Sequence, residues 1–215
     1  MHNYQNDIRV VSIEDDDSYR EHLTALIDGA DGFKCVGSYH SVPAALAQMP
    51  RVRPDVLLLD LQLPGRNGLE IIAETVARWP DLAIIILTVH DESATIFTAL
   101  EAGAVGYLSK PVSPVRLLEA IAEAHTGGSP MSASIARLVV RKFHQQGQLR
   151  RELDALTPRE TEILELISRG LSTKEIATQL QLSDRTVGSH LRKIYDKLQV
   201  HSRSAAVSRY LKGNS

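Results

Sequence analysis

A single cysteine, Cys35, in 215 residues cannot form an intrachain disulfide, so nothing in the chain asks for an oxidising compartment. No uncharged apolar run approaches the roughly 20 residues of a membrane-spanning helix. The longest such run, Leu82 to Val89, has the length of a strand. The opening residues, Met1-His2-Asn3-Tyr4-Gln5-Asn6-Asp7, lack the basic stretch followed by an apolar one that a secretory signal needs. Together these absences lead to the expectation of a soluble cytoplasmic protein. Net charge is also nearly absent: 24 Lys+Arg against 26 Asp+Glu leave −2. That total hides an asymmetry. Residues 1–128 hold 9 basic and 18 acidic side chains, residues 129–150 hold 4 and none, and residues 151–215 hold 11 and 8. An acidic front and a basic back suggest one part that handles cations or metal-linked phosphate and another that meets a polyanion.

What is present is an ordinary globular composition, 43% hydrophobic and 23% charged, long enough for two compact domains. The front half repeats a unit of short apolar run, turn and amphipathic segment. The runs are Ile8–Ile13, Phe33–Val36, Val56–Leu59, Leu82–Leu87 and Val105–Leu108. Helical spacing recurs between and after them at Leu23, Leu26 and Ile27, at Leu69, Ile71, Ile72 and Val76, at Ile96, Leu100 and Ala104, and at Leu117, Leu118, Ile121 and Ala124. Strands alternating with helices predict a doubly wound α/β domain with a five-stranded parallel sheet, because each parallel crossover needs a connecting helix. Ligands of such sheets bind beyond the carboxyl ends of the strands. This domain is expected over residues 1–127.

Residues 128–153 read as a linker with one short helix, capped by Ser132 and carrying Ile135, Leu138, Val139 and Phe143, followed by a polar stretch containing Gly147. Residues 154–215 contain only helical signals. Thr157-Pro158-Arg159-Glu160 and Ser172-Thr173-Lys174-Glu175 are capping boxes, Gly170 is a helix stop, Ser183-Asp184 opens a third helix and Ser202 a fourth. Four short helices make a small all-α bundle, suited to binding rather than to enclosing an active site.

The first strand runs into Glu14-Asp15-Asp16-Asp17 and the third ends in Asp60. An acidic run alone is usually solvated surface. Neighbouring parallel strands, however, would gather these carboxylates at one sheet edge, where they repel one another and need a cation; an all-oxygen set suits Mg²⁺. Thr88 and Lys110, at the ends of the fourth and fifth strands, add a hydroxyl and an ammonium of the kind a phosphoryl group requires. His40 and His90 have no Cys or His partners at ligand spacing and read as surface residues, with His90, two positions after Thr88, expected to border the same edge.

Glu14-Asp15, Asp60, Leu61-Gln62-Leu63-Pro64-Gly65-Arg66-Asn67-Gly68, Thr88 and Lys110-Pro111 together resemble a two-component response-regulator receiver domain, over roughly Ile8 to Thr126. The resemblance implies that Asp60 accepts a phosphoryl group from a sensor histidine kinase. It implies Mg²⁺ held by Glu14, Asp15, Asp60 and the main-chain carbonyl of Gln62, phosphoryl contacts from Thr88 and Lys110, Tyr107 as an aromatic switch that turns inward, and a cis Lys110-Pro111 bond.

In the third helix of the back domain Val187, Leu191, Ile194 and Leu198 form an apolar stripe, and the opposite face carries Arg185, Ser189, Arg192, Lys193 and Asp196. The short connection Gln181-Leu182-Ser183 from the preceding helix is that of a helix-turn-helix, whose second helix enters the major groove. Leu156-Thr157-Pro158-Arg159-Glu160, Gly170-Leu171-Ser172-Thr173-Lys174-Glu175-Ile176-Ala177, Leu182-Ser183, Thr186-Val187, His190, Lys197-Leu198 and Ser202-Arg203 resemble the LuxR-type module of NarL/FixJ regulators. Where that family commonly has lysine after Thr-Val, this chain has Gly188, which weakens the helix and removes a groove contact. Base reading is therefore expected from Ser189 and Arg192, with Lys174, Arg185, Thr186 and Lys193 as phosphate or mixed contacts, and a structural role from His190.

The expected function is a phosphorylation-controlled transcription factor, not an enzyme beyond its own phosphorylation and dephosphorylation. Phosphorylation would release the DNA-binding domain and favour a homodimer on double-stranded DNA. Three other readings fit the residues less well. A Mg²⁺-dependent phosphatase using Asp60 commonly wants a second acid where Gln62 stands; a flavin phosphate would be repelled by the acidic first loop; a phosphorylation-independent regulator would not need the complete acidic set.

Overall fold

The computed structural model describes residues 7–63, 68–89 and 92–213, which leaves Pro64 to Asn67 of the loop motif, and His90, outside the described residues. The chain divides into two compact units, residues 1–139 and 140–215.

In the first unit β1 (Ile8–Ile13), α1 (Asp17–Asp28), β2 (Phe33–Tyr39), α2 (Val42–Val52), β3 (Val56–Leu59), α3 (Gly68–Arg78), β4 (Ala83–Thr88), α4 (Ser93–Glu101), β5 (Gly106–Ser109) and α5 (Pro114–His125) alternate. The strands form one parallel five-stranded sheet in the order β2-β1-β3-β4-β5. Successive residues of each strand point to opposite faces. Leu57, Leu59, Ile84 and Ile86 therefore join Ile71, Ile72 and Ile96 in one apolar cluster, while Val56, Leu58, Ile85 and Leu87 join Leu23, Ile27, Leu117 and Ile121 in another. Burial on both faces explains why β3 and β4 read as continuous apolar runs rather than alternating ones. Ala104, counted on the apolar face of α4, lies beyond that helix: Gly103, at φ 109°, stops it, and Ala104 is buried in the turn.

The outer edge of β5 is covered by the chain that returns after α5. Tyr107 donates its N–H to the Pro130 carbonyl at 2.9 Å and accepts from Ser132 N–H at 3.1 Å, and Ser109 N–H reaches Ser132 Oγ at 3.1 Å. A β-carbon at Gly106 would stand 2.8 Å from Pro130 Cγ and 3.0 Å from its carbonyl oxygen, so this approach requires glycine.

From there α6 (Ala133–Asp154) runs for 22 residues, which corrects the expectation of one short helix within residues 128–153. Gly147 costs about 1 kcal/mol in a helix relative to alanine. Its neighbours Gln145, Gln146, Gln148, Leu149, Arg150 and Arg151 are good helix formers, and Gln148 Nε2 donates to Glu152 one turn on at 2.9 Å, so the polar stretch stays helical. The first part of α6 packs on the receiver cluster, with Ile135 fully buried and Leu138 half-buried beside Met131, whereas Phe143 is 67% exposed and, near the other end, Leu153 is half-buried against the core of the second unit.

The second unit contains α7 (Pro158–Ser168), α8 (Thr173–Gln179), α9 (Asp184–Lys197) and α10 (Arg203–Gly213). Both capping boxes form: Thr157 and Ser172 accept from the N–H of Glu160 and Glu175, whose carboxylates accept in return from the capping N–H groups. Leu156, Ile163, Leu164, Ile167, Ile176, Val187, Leu191, Ile194, Leu198 and Ala206 make its core. No helix among the described residues is long and apolar enough to cross a membrane.

Candidate functional site

Sheet register assembles the acidic edge. Ile13 lies opposite Leu59, so the residues that follow them, Glu14 and Asp60, emerge side by side; Asp60 N–H donates to the Ile13 carbonyl at 3.0 Å. Glu14 is 2% exposed and Asp60 4%, while Asp15 faces solvent. One carboxylate oxygen from each of the three lies within 4.8 Å of the others. Two buried carboxylates at this separation need positive charge. Lys110, carried past the end of β5 and followed by a cis bond to Pro111, supplies it: Nζ donates to Glu14 Oε2 at 2.5 Å and to Asp60 Oδ2 at 2.6 Å. Burial pushes the Glu14 carboxyl up, and the Lys110 hydrogen bond offsets this only in part. Burial acts against the Lys110 ammonium too, yet the bonds from Asp60 and Glu14 outweigh it and raise its pKa. The donor set, oxygen only and part solvent-facing, fits a hard divalent cation such as Mg²⁺.

The remaining sequence-derived residues of this edge are placed as follows. Gln62 stands two residues beyond Asp60, and its main-chain N–H donates to Asp60 Oδ1 at 2.9 Å. Thr88 is buried at the end of β4, opposite Ser109, and its carbonyl accepts from Lys110 N–H at 2.8 Å. Tyr107 is fully buried in the same cluster as Ile96, Ala99 and Ile135, so the ring expected to turn inward is already inside. His40 is exposed.

The acidic run divides its labour, with Glu14 and Asp15 at the site as the resemblance implied. Glu14 and Asp15 join the cluster, Asp16 caps α1 by accepting from Tyr19 N–H at 2.9 Å, and Asp17 pairs with Arg20. Arg20 also donates to the Glu14 carbonyl at 2.9 Å, which ties the first turn of α1 to the loop. The Lys110 ammonium lies over the Tyr19 ring, 4.5 Å from its centroid, a contact no motif signalled. An aspartate directly before a helix is a cap signal, and it assigns Asp16 to α1 rather than to the site.

In the second unit α8 ends in a tight turn: Gln181 adopts φ 54°, Leu182 N–H reaches the Ala177 carbonyl at 2.8 Å, and Ser183 caps α9. Val187, Leu191, Ile194 and Leu198 are buried, and the outward face presents Arg185, Ser189, Arg192 and Lys193, with Lys174 exposed on α8. Thr186 is half-buried and shares a 2.8 Å hydrogen bond with Ser183 Oγ, while Ser189 Oγ donates back to the Arg185 carbonyl at 3.0 Å. Among the described residues, Lys174, Arg185, Arg192 and Lys193 make no ion pair. Elsewhere in the unit Arg159, Arg169, Lys197 and Arg209 are paired with Glu162, Glu165, Glu160 and Glu152. Four cations unpaired among the described residues are thus gathered on and beside the outward face of α9. His190 is half-buried, and its Nδ1 has no partner among the described residues.

Residues 10–122 match the response regulator receiver domain family, and residues 154–210 match the LuxR family of bacterial regulatory proteins. The chain is a two-component response regulator. It is 37% identical over 210 residues to a nitrate/nitrite response regulator protein homolog of Haemophilus influenzae, covering 98% of this regulator and 99% of that protein. It is 31% identical over 199 residues to the DNA-binding transcriptional activator DevR/DosR of Mycobacterium tuberculosis, covering 93% and 92%. Among solved structures, the regulator resembles the RcsB response regulator of Salmonella typhimurium at 25% identity and TM-score 0.64, over 96% of this chain and 98% of that one. RcsB has also been solved bound to promoter DNA in the presence of a phosphomimetic, at 25% identity and TM-score 0.58, over 98% and 100%. The regulator thus joins a receiver domain to a LuxR-type DNA-binding domain and belongs among transcription regulators.

Proposed function

We propose that the regulator takes a phosphoryl group onto Asp60 from the phosphohistidine of a sensor kinase, and that this frees and pairs its DNA-binding domains to control transcription. The observation that carries the reading is the buried Asp60 carboxylate, flanked by Glu14, Asp15 and Lys110 at the carboxyl edge of the sheet. An Asp60 oxygen forms the new P–O bond as the P–N bond breaks; the departing imidazole keeps the electron pair and takes up a proton. Lys110 keeps Asp60 company as a counter-charge before transfer and turns to a phosphoryl oxygen after it. Thr88 and the Gln62 backbone line the same edge. A Mg²⁺ ion held by Glu14, Asp15, Asp60 and the Gln62 carbonyl would neutralise phosphoryl charge as the bond forms.

Output has a direct route in the first unit. Tyr107 is hydrogen-bonded through its backbone to Pro130 and Ser132, and its cluster includes Ile135 of α6. A shift of β5 around a new charge near two negative units at Asp60 is therefore felt at the start of α6. On DNA, Arg192 and Ser189 read bases while Lys174, Arg185, Thr186 and Lys193 meet phosphates or both. One such helical domain offers little contact area, so a homodimer on two half-sites supplies useful affinity. The test is labelling by a small phosphodonor with Mg²⁺: the natural chain is labelled and Asp60→Asn is not. Equal labelling of the two would refute the assignment.

A further inference from the structure

We propose that Tyr19 is a positioning residue for Lys110, its ring face holding the ammonium in place to receive the phosphoryl group. This rests on the phosphoacceptor reading of Asp60. A lysine ammonium has three N–H donors and no acceptor. In the regulator Glu14 and Asp60 each take one, at 2.5 and 2.6 Å, and the ammonium lies over the Tyr19 ring at 4.5 Å, well inside the reach of a cation–π contact. The Lys110 side chain is only 12% exposed, so the contact acts where water screens it little.

The backbone that carries the ring is tied to the loop that carries the acids. Tyr19 N–H is held by the Asp16 cap, and the next residue, Arg20, bonds the Glu14 carbonyl and Asp17. The start of α1, from which the ring projects, is thereby anchored next to the acids. Burial keeps the phenol above its usual pKa, so the ring stays neutral and presents its π face rather than a competing phenolate. A π face has a further consequence for transfer. Lys110 must exchange a carboxylate oxygen for a phosphoryl oxygen, and a ring holds Nζ over the site without consuming a donor in a directed hydrogen bond. An aliphatic side chain at residue 19 would fill the space without attracting the ammonium.

The experiment titrates full-length protein with beryllium trifluoride at saturating Mg²⁺, and separately with Mg²⁺ alone, by calorimetry. Tyr19→Leu is expected to weaken beryllium trifluoride binding about 3- to 30-fold while leaving Mg²⁺ affinity within about twofold. Tyr19→Phe, which keeps the ring, is expected to bind like the natural protein. With Lys110 replaced by Met, adding Tyr19→Leu is expected to change binding by less than about twofold, because the partner is gone. Unchanged binding by Tyr19→Leu, an equal loss in Tyr19→Phe, or a full loss retained in the Lys110→Met background would each overturn the proposal. Failure of the natural protein itself to bind beryllium trifluoride would instead overturn the phosphoacceptor reading beneath it.

Discussion

Ile135→Ala probes whether α6 is anchored to the receiver at its first turn. Ile135 is fully buried in the cluster that holds Tyr107, and the anchor around it consists of the Tyr107–Pro130, Ser132–Tyr107 and Ser109–Ser132 hydrogen bonds. Removing three carbons from a closed site costs their transfer free energy plus the cavity left behind, about 2–5 kcal/mol in all. The backbone bonds survive the substitution, so the lower end of about 2 kcal/mol is the safer figure; that is about a 30-fold rise in the open population if the loss falls on docking of α6 alone. Native-state hydrogen exchange reads this directly, since local opening and global unfolding separate in such data. Amides of residues 136–139 should exchange about 30-fold faster, with those of β1, β3 and β4 unchanged. If residues 136–139 keep their protection, or if the whole sheet loses protection equally, Ile135 is not a local anchor and the route from Tyr107 to α6 falls with it.

Lys197→Met removes the partner of Glu160, which is 3% exposed, accepts from Lys197 Nζ at 2.7 Å and serves in the α7 capping box. Because the lysine is itself about a third exposed, the expected cost is about 1–3 kcal/mol of unfolding free energy by urea titration near neutral pH. Burial opposes the Glu160 charge, but Lys197 and the Thr157 bonds outweigh it and hold the carboxyl below 4.5. Its contribution is therefore full above the unfolded value near 4.5 and disappears as pH falls through the lower folded value. Unfolding curves on either side of that window should show the natural protein losing stability more steeply than Lys197→Met; parallel profiles would contradict the pairing. On the DNA side, Arg192→Ala should cost about 1–3 kcal/mol of discrimination between a selected operator and a random duplex at fixed salt, whereas Lys193→Ala should weaken both alike. Equal weakening by Arg192→Ala would remove its base-reading role.

Much of this was legible because the signals are local. Short apolar runs and the glycine and capping residues between them marked all five strands, with β2 running on to Tyr39 and β4 starting one residue later than its apolar run. The capping boxes at Thr157 and Ser172 formed as written, since a hydroxyl and a carboxylate three residues apart need nothing beyond their own helix. Gly188 has open space where a side chain would stand, so its cost is helical propensity rather than packing. The length of α6 was not legible because its polar middle carries no apolar periodicity, although glutamine and arginine continue a helix well without it.

The sequence by itself determined the alternation of strands and helices, the change to an all-helical second half, and which chemical groups end each strand. Those properties depend on periods and caps that span only a few residues. Tertiary structure brought the acids together: strand order β2-β1-β3-β4-β5 puts Ile13 beside Leu59, so Glu14 meets Asp60 from 46 positions away. It also decided that Lys110 and Tyr19, 91 positions apart in the chain, share one contact. A buried charge is balanced by whatever the fold carries to it, and no local pattern encodes that meeting.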